Sequence, residues 1–230
     1  IGTEITAAFI LLAIDVSEVH AEKQSHIHTE SPFESFKSGA LYIFTNNTLR
    51  NLIILQLALE GIGWAHVSML PVMAGAILES GVSGLGYLQS ASFAGIFLAT
   101  VIMSIFRDIN WKDKIMLGGF TAFSILIIAF SISTHIGLSL VLLCLAYAFG
   151  AAGEMCLITT LQTSVPSDMR GRIGSFQAFG WSINKISSFY MGAIGGAIGV
   201  QTAIAASGGL MLIILLAVSR KTLLLEKKTP

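Results

Sequence analysis

"QTSVPSDMRGRIGSFQ" runs from Gln162 to Gln177 and places an Asp, two Arg and a Pro between two long apolar runs. In a water-soluble globule it would be an ordinary surface turn. The rest of the chain decides otherwise. Of the 230 residues, 54% are hydrophobic and only 11% charged, and the mean hydropathy is +0.79. Soluble domains carry roughly 25% charged residues, so this chain cannot cover a globule with polar side chains. Its composition is that of an all-α membrane protein. The polar stretch then becomes a junction between two membrane spans. The formal net charge is zero, which offers no pull on nucleic acid. Cys144 and Cys156 both fall inside apolar runs, which argues against a disulfide framework or a zinc site.

A spanning helix needs about 20 mainly apolar residues. Six runs meet that length: Leu49–Leu70, Gly84–Phe106, Ile115–Ser133, Leu138–Leu161, Ile173–Gly195 and Val200–Ser219. The connections at Glu79–Ser83, Thr134–Gly137 and Gly196–Gly199 are short, so neighbouring helices run antiparallel. Residues 49–219 therefore read as a six-helix transmembrane bundle, followed by a tail at 220–230. Ahead of it, "IGTEITAAFILLAI" (Ile1–Ile14) is apolar but too short to span and reads as the remnant of a preceding helix. Residues 15–48 form a polar linker. Within it, "PFESFKSGALYIF" has apolar residues at helical spacing and reads as an amphipathic helix.

Charge orients the bundle. Cytoplasmic loops of membrane proteins collect Lys and Arg. Lys23 and Lys37 precede the first span and Arg50 stands at its very start; Arg107, Lys112 and Lys114 lie between the second and third; Arg170 and Arg172 lie between the fourth and fifth. Arg220, Lys221, Lys227 and Lys228 follow the last, leaving Lys185 as the one of 13 basic residues deep inside a span. These segments alternate, so all fall on one side of the membrane. The reading is a multi-pass protein of the cell inner membrane with linker, basic loops and C-terminus in the cytoplasm. Asn46-Asn47-Thr48 fits a glycosylation sequon, but it lies on the cytoplasmic side.

The turn at Gln162–Arg172 also carries a resemblance. Gln162, Val165, Pro166, Asp168, Arg170, Gly171 and Arg172, with Gly192, Gly196, Gly199 and Val200 closing the next helix, resemble the C-terminal half of a major facilitator superfamily transporter. The likeness is to its bacterial enterobactin-exporter-like, drug-efflux branch. "ESFKSGALYIFTNNTLRNLIIL" looks like that family's amphipathic lead into helix seven. "IFRDINWKDK" departs from the family's turn between helices eight and nine, and "WSINKISSFYMG" carries Asn184 and Lys185 where relatives often have Pro and Gly. The resemblance implies half of a twelve-helix fold, with Ile1–Ile14 the remnant of helix six. The other partners implied are an N-terminal six-helix half, the lipid bilayer and a small-molecule substrate. Superfamily sites form between the two halves, so this half alone is not expected to transport. The function implied is a proton-coupled exporter of small amphipathic molecules, an antiporter. The alternatives are a nutrient importer of the same fold or a non-transporting membrane scaffold. No hydrolase or acyltransferase motif and no nucleotide-binding loop is present, so neither an enzyme nor an ATP-driven pump is indicated. No cofactor is expected.

Candidate site residues are polar groups in apolar surroundings. A charge inside a span costs roughly 2.5–3.5 kcal/mol on insertion scales and tends to face a cavity. Glu60 in "LALEGIGW", Glu154 in "FGAAGEMCL" and Lys185 in "SINKISS" qualify. Either carboxyl is a candidate to take and release a proton, with Lys185 pairing a carboxylate or an anionic group. The competing reading is a structural Glu–Lys pair. Trp64, Gln89 and Asn184 are candidates to line the path, together with His66 and Trp181. Asp168, Arg170 and Arg172 are candidates for a cytoplasmic gate through charge-assisted hydrogen bonds; otherwise the arginines only set topology. Gly61, Gly63, Gly150, Gly153, Gly192 and Gly196 read as sites of close helix contact. His20, His26 and His28 lie in the polar linker without a supporting Cys, so no metal site is assigned.

Overall fold

The computed structural model describes residues 32–105, 111–166 and 169–226. The remnant Ile1–Ile14, the linker histidines and Asp168 lie outside them. The chain separates into a unit Ile1–Ser35, of which only the last four residues are described, and a unit Phe36–Pro230. The second unit holds the bundle.

Among the described residues there are seven helices: α1 (Pro32–Thr45), α2 (Asn47–Ile77), α3 (Gly81–Ile105), α4 (Lys112–Ser131), α5 (Ile136–Thr163), α6 (Arg170–Ile198) and α7 (Val200–Glu226). Only helices or closed barrels satisfy every backbone group inside lipid, and the apolar runs have taken the helical solution. Five helices are both long and apolar enough to cross a membrane: α2, α3, α4, α5 and α7. Helix α6, at 29 residues, is about 43 Å long at 1.5 Å per residue. That exceeds a bilayer core of about 30 Å, but Gln177, Asn184, Lys185 and several serines make it too polar to qualify by composition. The architecture is an all-α membrane bundle of six long helices, preceded by α1.

The helix ends follow local chemistry. The Asn46 side chain caps α2, accepting from the amides of Thr48 at 3.0 Å and Leu49 at 3.2 Å. The sequon asparagine thus serves as a helix cap. Between α2 and α3 the chain turns through Glu79 (φ 49°) and Gly81 (φ 61°). Gly199 ends α6 with φ 90°, a conformation L side chains rarely adopt.

Helices α3, α4, α5 and α7 pack through glycines. Gly95 of α3 lies directly against the backbone carbonyl of Cys144 on α5. A Cβ on Gly119 of α4 would come 2.7 Å from the Phe149 carbonyl oxygen, and one on Gly208 of α7 would lie 3.0 Å from that of Ser124. Phe120, Phe123, Ile127 and Phe130 of α4 fill the space between, each no more than 1% exposed. Such contacts matter because association inside lipid rests on close packing rather than on exclusion of water. Gly192 and Gly196 of α6 behave otherwise: a Cβ at either meets nothing within 4 Å. Their small-residue spacing is open within this chain.

Helix α2 differs from the sequence expectation, which ended it at Leu70. It continues through Pro71 to Ile77, but not as one regular helix. A regular start (Asn47–Ala58) gives way to a π turn (Leu59–Gly63), a 3-10 stretch (Trp64–Met69), one α turn (Leu70–Val72) and a second π turn (Met73–Ile77). Pro71 is one physical cause, since it has no N–H to continue the ladder. The Leu70 amide supplies the Val67 carbonyl with a tighter bond instead. The His66 ring Nδ1 bonds the Gly63 carbonyl at 2.9 Å, and the Ser68 hydroxyl donates to the Ala65 carbonyl at 2.9 Å. Side chains thus feed the irregular backbone.

Candidate functional site

Glu60 sits in the first π turn of α2 and is only 4% exposed. Two features of α6 place it there. The Asn184 side-chain amide donates to the Glu60 backbone carbonyl at 3.2 Å, bridging residues 124 apart in sequence. One turn earlier, Gly180 leaves room for the carboxylate stem: a Cβ there would lie 3.7 Å from Glu60 Cγ. Π turns inside helices occur frequently at functional sites, and this one carries a buried acid.

The second acid comes from α5. Glu154 is partly buried, and the Trp64 side chain stands beside its carboxylate. Glu60 and Glu154 lie within electrostatic reach of each other. Among the described residues the charge that Glu60 meets is therefore another carboxylate.

Four rings close the space beside the pair. Trp64 packs at 4.9 Å from Phe123 and 5.0 Å from Tyr147, and His66 lies 5.7 Å from Tyr147 in an edge-on arrangement. These are the tilted geometries aromatic pairs prefer. The rings are packed on one another, so they act as a wall rather than a cage. The Tyr147 hydroxyl stands beside Ser92, whose own hydroxyl donates to the Leu88 carbonyl at 3.0 Å. His66 is fully buried with Nδ1 committed to Gly63, and its Nε2 has no protein partner. Gly150 and Gly153 make room here: a Cβ on Gly150 would come 2.9 Å from the Phe123 ring, and one on Gly153 2.9 Å from that of Phe120.

The structure therefore brings Glu60, Glu154, Trp64 and Asn184 together. It does not bring Gln89 or Lys185 to them. Gln89 is exposed on α3. Lys185 is exposed on α6, next to Asn184 but turned by the roughly 100° that separates consecutive helix residues. On the side of α6 toward α2 it is Asn184 that reaches Glu60. Trp181 is likewise exposed. Of the three gate candidates, Asp168 and the Arg172 side chain lie outside the described residues. The Arg170 Nε donates to the Val165 carbonyl at 3.4 Å, across the turn that precedes α6. Among the described residues no cluster of three His, Cys, Asp or Glu has the makings of a metal site.

Sequence reasoning missed Gln56. It lies one helical turn before Glu60, is 1% exposed, and neither of its amide atoms has a partner. A lone Gln inside "LIILQLAL" was a signal of the same kind as Glu60. Two cavities lie along α6. One of about 370 Å³ lies between α2, α6 and α7 and is lined by apolar groups including Ile62, Ile194 and Leu210. The other, of about 240 Å³, lies at the Arg170 end of α6 and includes Gln162 and Gln177 in its lining.

The family described as transmembrane secretion effector, a branch of the major facilitator superfamily, matches residues 3–228. The match covers nearly the whole chain, and the chain belongs to that family. No curated protein and no solved structure matches it.

Proposed function

We propose that this member of the transmembrane secretion effector family is a proton-coupled exporter of small amphipathic molecules, with Glu60 and Glu154 as its coupling pair. Membership makes it a multi-pass membrane protein of a transporter family. Direction, coupling and substrate class go beyond membership. The observation that supports the coupling is the pair itself: two carboxyl groups from different helices, close enough to interact, Glu60 buried and Glu154 partly buried. Two negative charges at short range in a low-dielectric medium repel strongly. A proton bound to either removes the repulsion, so proton uptake and release change the forces between α2 and α5. The irregular middle of α2 gives those forces a compliant element to act on. The basic loops support a cytoplasmic Arg170 end of α6, and on that reading the cell interior is the side of substrate entry for an exporter.

The test is pH-driven efflux from liposomes holding the full-length protein, with hydrophobic dyes and siderophore-like compounds as probes. Glu60→Gln removes the titrating group while keeping its shape. Loss of pH-driven efflux, with insertion intact, is the expected result. Efflux at the wild-type rate would remove Glu60 from the coupling step.

A further inference from the structure

Some polar atoms remain unexplained by the acid pair. Both amide atoms of Gln56, 1% exposed, and the amide nitrogen of Gln177 are buried without a hydrogen-bond partner. Buried polar groups normally have one. These atoms are not scattered. Along α6, Arg170, Gly174, Gln177, Gly180 and Asn184 recur at three- and four-residue steps, which puts them on one face. The lower part of that face, Arg170 to Gln177, lines the 240 Å³ cavity. The upper part meets Glu60: a Cβ on Gly180 would lie 3.8 Å from Gln56 Nε2 and 3.7 Å from Glu60 Cγ. Gln56 thus stands between the cavity and the acid, about 15 Å along α6 from its start at Arg170.

We infer that this face of α6 is a hydrated proton path, running from the cavity at the Arg170 end to Glu60, with Gln177 and Gln56 positioning its water. The inference rests on the reading of Glu60 as a coupling residue and adds its route and its side. A buried water needs two to four polar partners. The Gln56 amide offers a donor and an acceptor, Gln177 a donor, and Glu60 a carboxyl group. A carboxamide suits this role because it orders water in either direction and does not itself hold the proton at neutral pH. The proton moves along hydrogen-bonded water and ends on a Glu60 oxygen, so no bond other than O–H forms or breaks. The charged and titratable groups near the line are Glu60 and His66 of α2, Glu154 of α5 and Arg170 at the mouth; Lys185 is turned away, and α7 presents none between Val200 and Ser219. The Arg170 guanidinium is tied to the Val165 carbonyl at the rim, which leaves the Gly174 side of the cavity as the entry.

Two measurements on the full-length protein in liposomes test this. A Cβ at Gly174 would meet nothing within 4 Å, so Gly174→Cys is accommodated. In a background with Cys144 and Cys156 replaced by Ala, a membrane-impermeant methanethiosulfonate reagent added at the Arg170 side is expected to label it. Protection of that thiol from the reagent would overturn the path. Proton exchange at Glu60 is then followed by infrared spectroscopy after a pH jump, using the carboxyl band that Glu60→Gln removes. Gln56→Leu and Gln177→Leu are expected to slow exchange about tenfold each, the scale of one lost hydrogen bond, while Gln177→Asn exchanges at the wild-type rate. Unchanged exchange in both Leu variants would overturn the path. Slowed exchange together with intact pH-driven efflux in Glu60→Gln would leave the path standing and remove the coupling role.

Discussion

Helices α2 and α5 are near neighbours of similar length and opposite character. Helix α5 is regular over Ile136–Thr163; its Gly150 and Gly153 take ring and backbone contacts from α4, and its Cys144 carbonyl meets Gly95 of α3. Helix α2 changes winding four times between Ala58 and Ile77 and keeps buried polar atoms without partners. The difference separates two jobs. Helix α5 is the rigid member against which α3 and α4 are fixed by contacts that admit no extra atom. Helix α2 holds the acid where the helical ladder is already disturbed. Local rules are broken there, as happens at functional sites, and α5 contributes one acid without losing its own regularity.

If that division is right, substitutions in the regular region cost stability, whereas substitutions in the irregular region cost little. Phe120→Ala removes a fully buried ring packed on Gly153 and is expected to cost about 3–5 kcal/mol. The thermal midpoint of the purified full-length protein measures it, and a near-wild-type value would undo the contrast between the two helices. Gly95→Ala pushes a methyl into the Cys144 carbonyl, backbone on backbone, and is expected to cost about 1–3 kcal/mol in the same assay. Asn46→Ala removes the cap from the regular start of α2, for about 1 kcal/mol. Pro71→Ala is expected to change stability least, by under about 1 kcal/mol, since the backbone already routes its hydrogen bonds around that position. A large gain in stability from Pro71→Ala would mean that Pro71 alone keeps α2 irregular.

Much of the fold was legible in the sequence because apolar runs of membrane length have few alternatives. The six long helices stand where those runs stand, with ends displaced by a few residues. The extension of α2 was hidden by Pro71, which usually stops a helix in water but is tolerated where the freed backbone groups find other partners. The candidate site was only partly legible. Glu60 and Glu154 stood out as charges in apolar runs. Lys185 stood out for the same reason, yet it faces outward: the cost of a buried charge signals that a partner exists, not on which side. Gln56 left a signal, a lone amide in an apolar run, that went unread; Gly180, with no side chain, left none, and both roles exist only where α2 meets α6.

The coupling proposed for the site depends on Glu60 and Glu154 acting as one unit. A double-mutant cycle on pH-driven efflux in the full-length protein examines that dependence, with Glu60→Gln, Glu154→Gln and the combination. Residues that act as a unit are non-additive. The double variant is expected to lose no more coupling than Glu60→Gln alone. Additive losses, or an unaffected Glu60→Gln variant, would contradict the pairing.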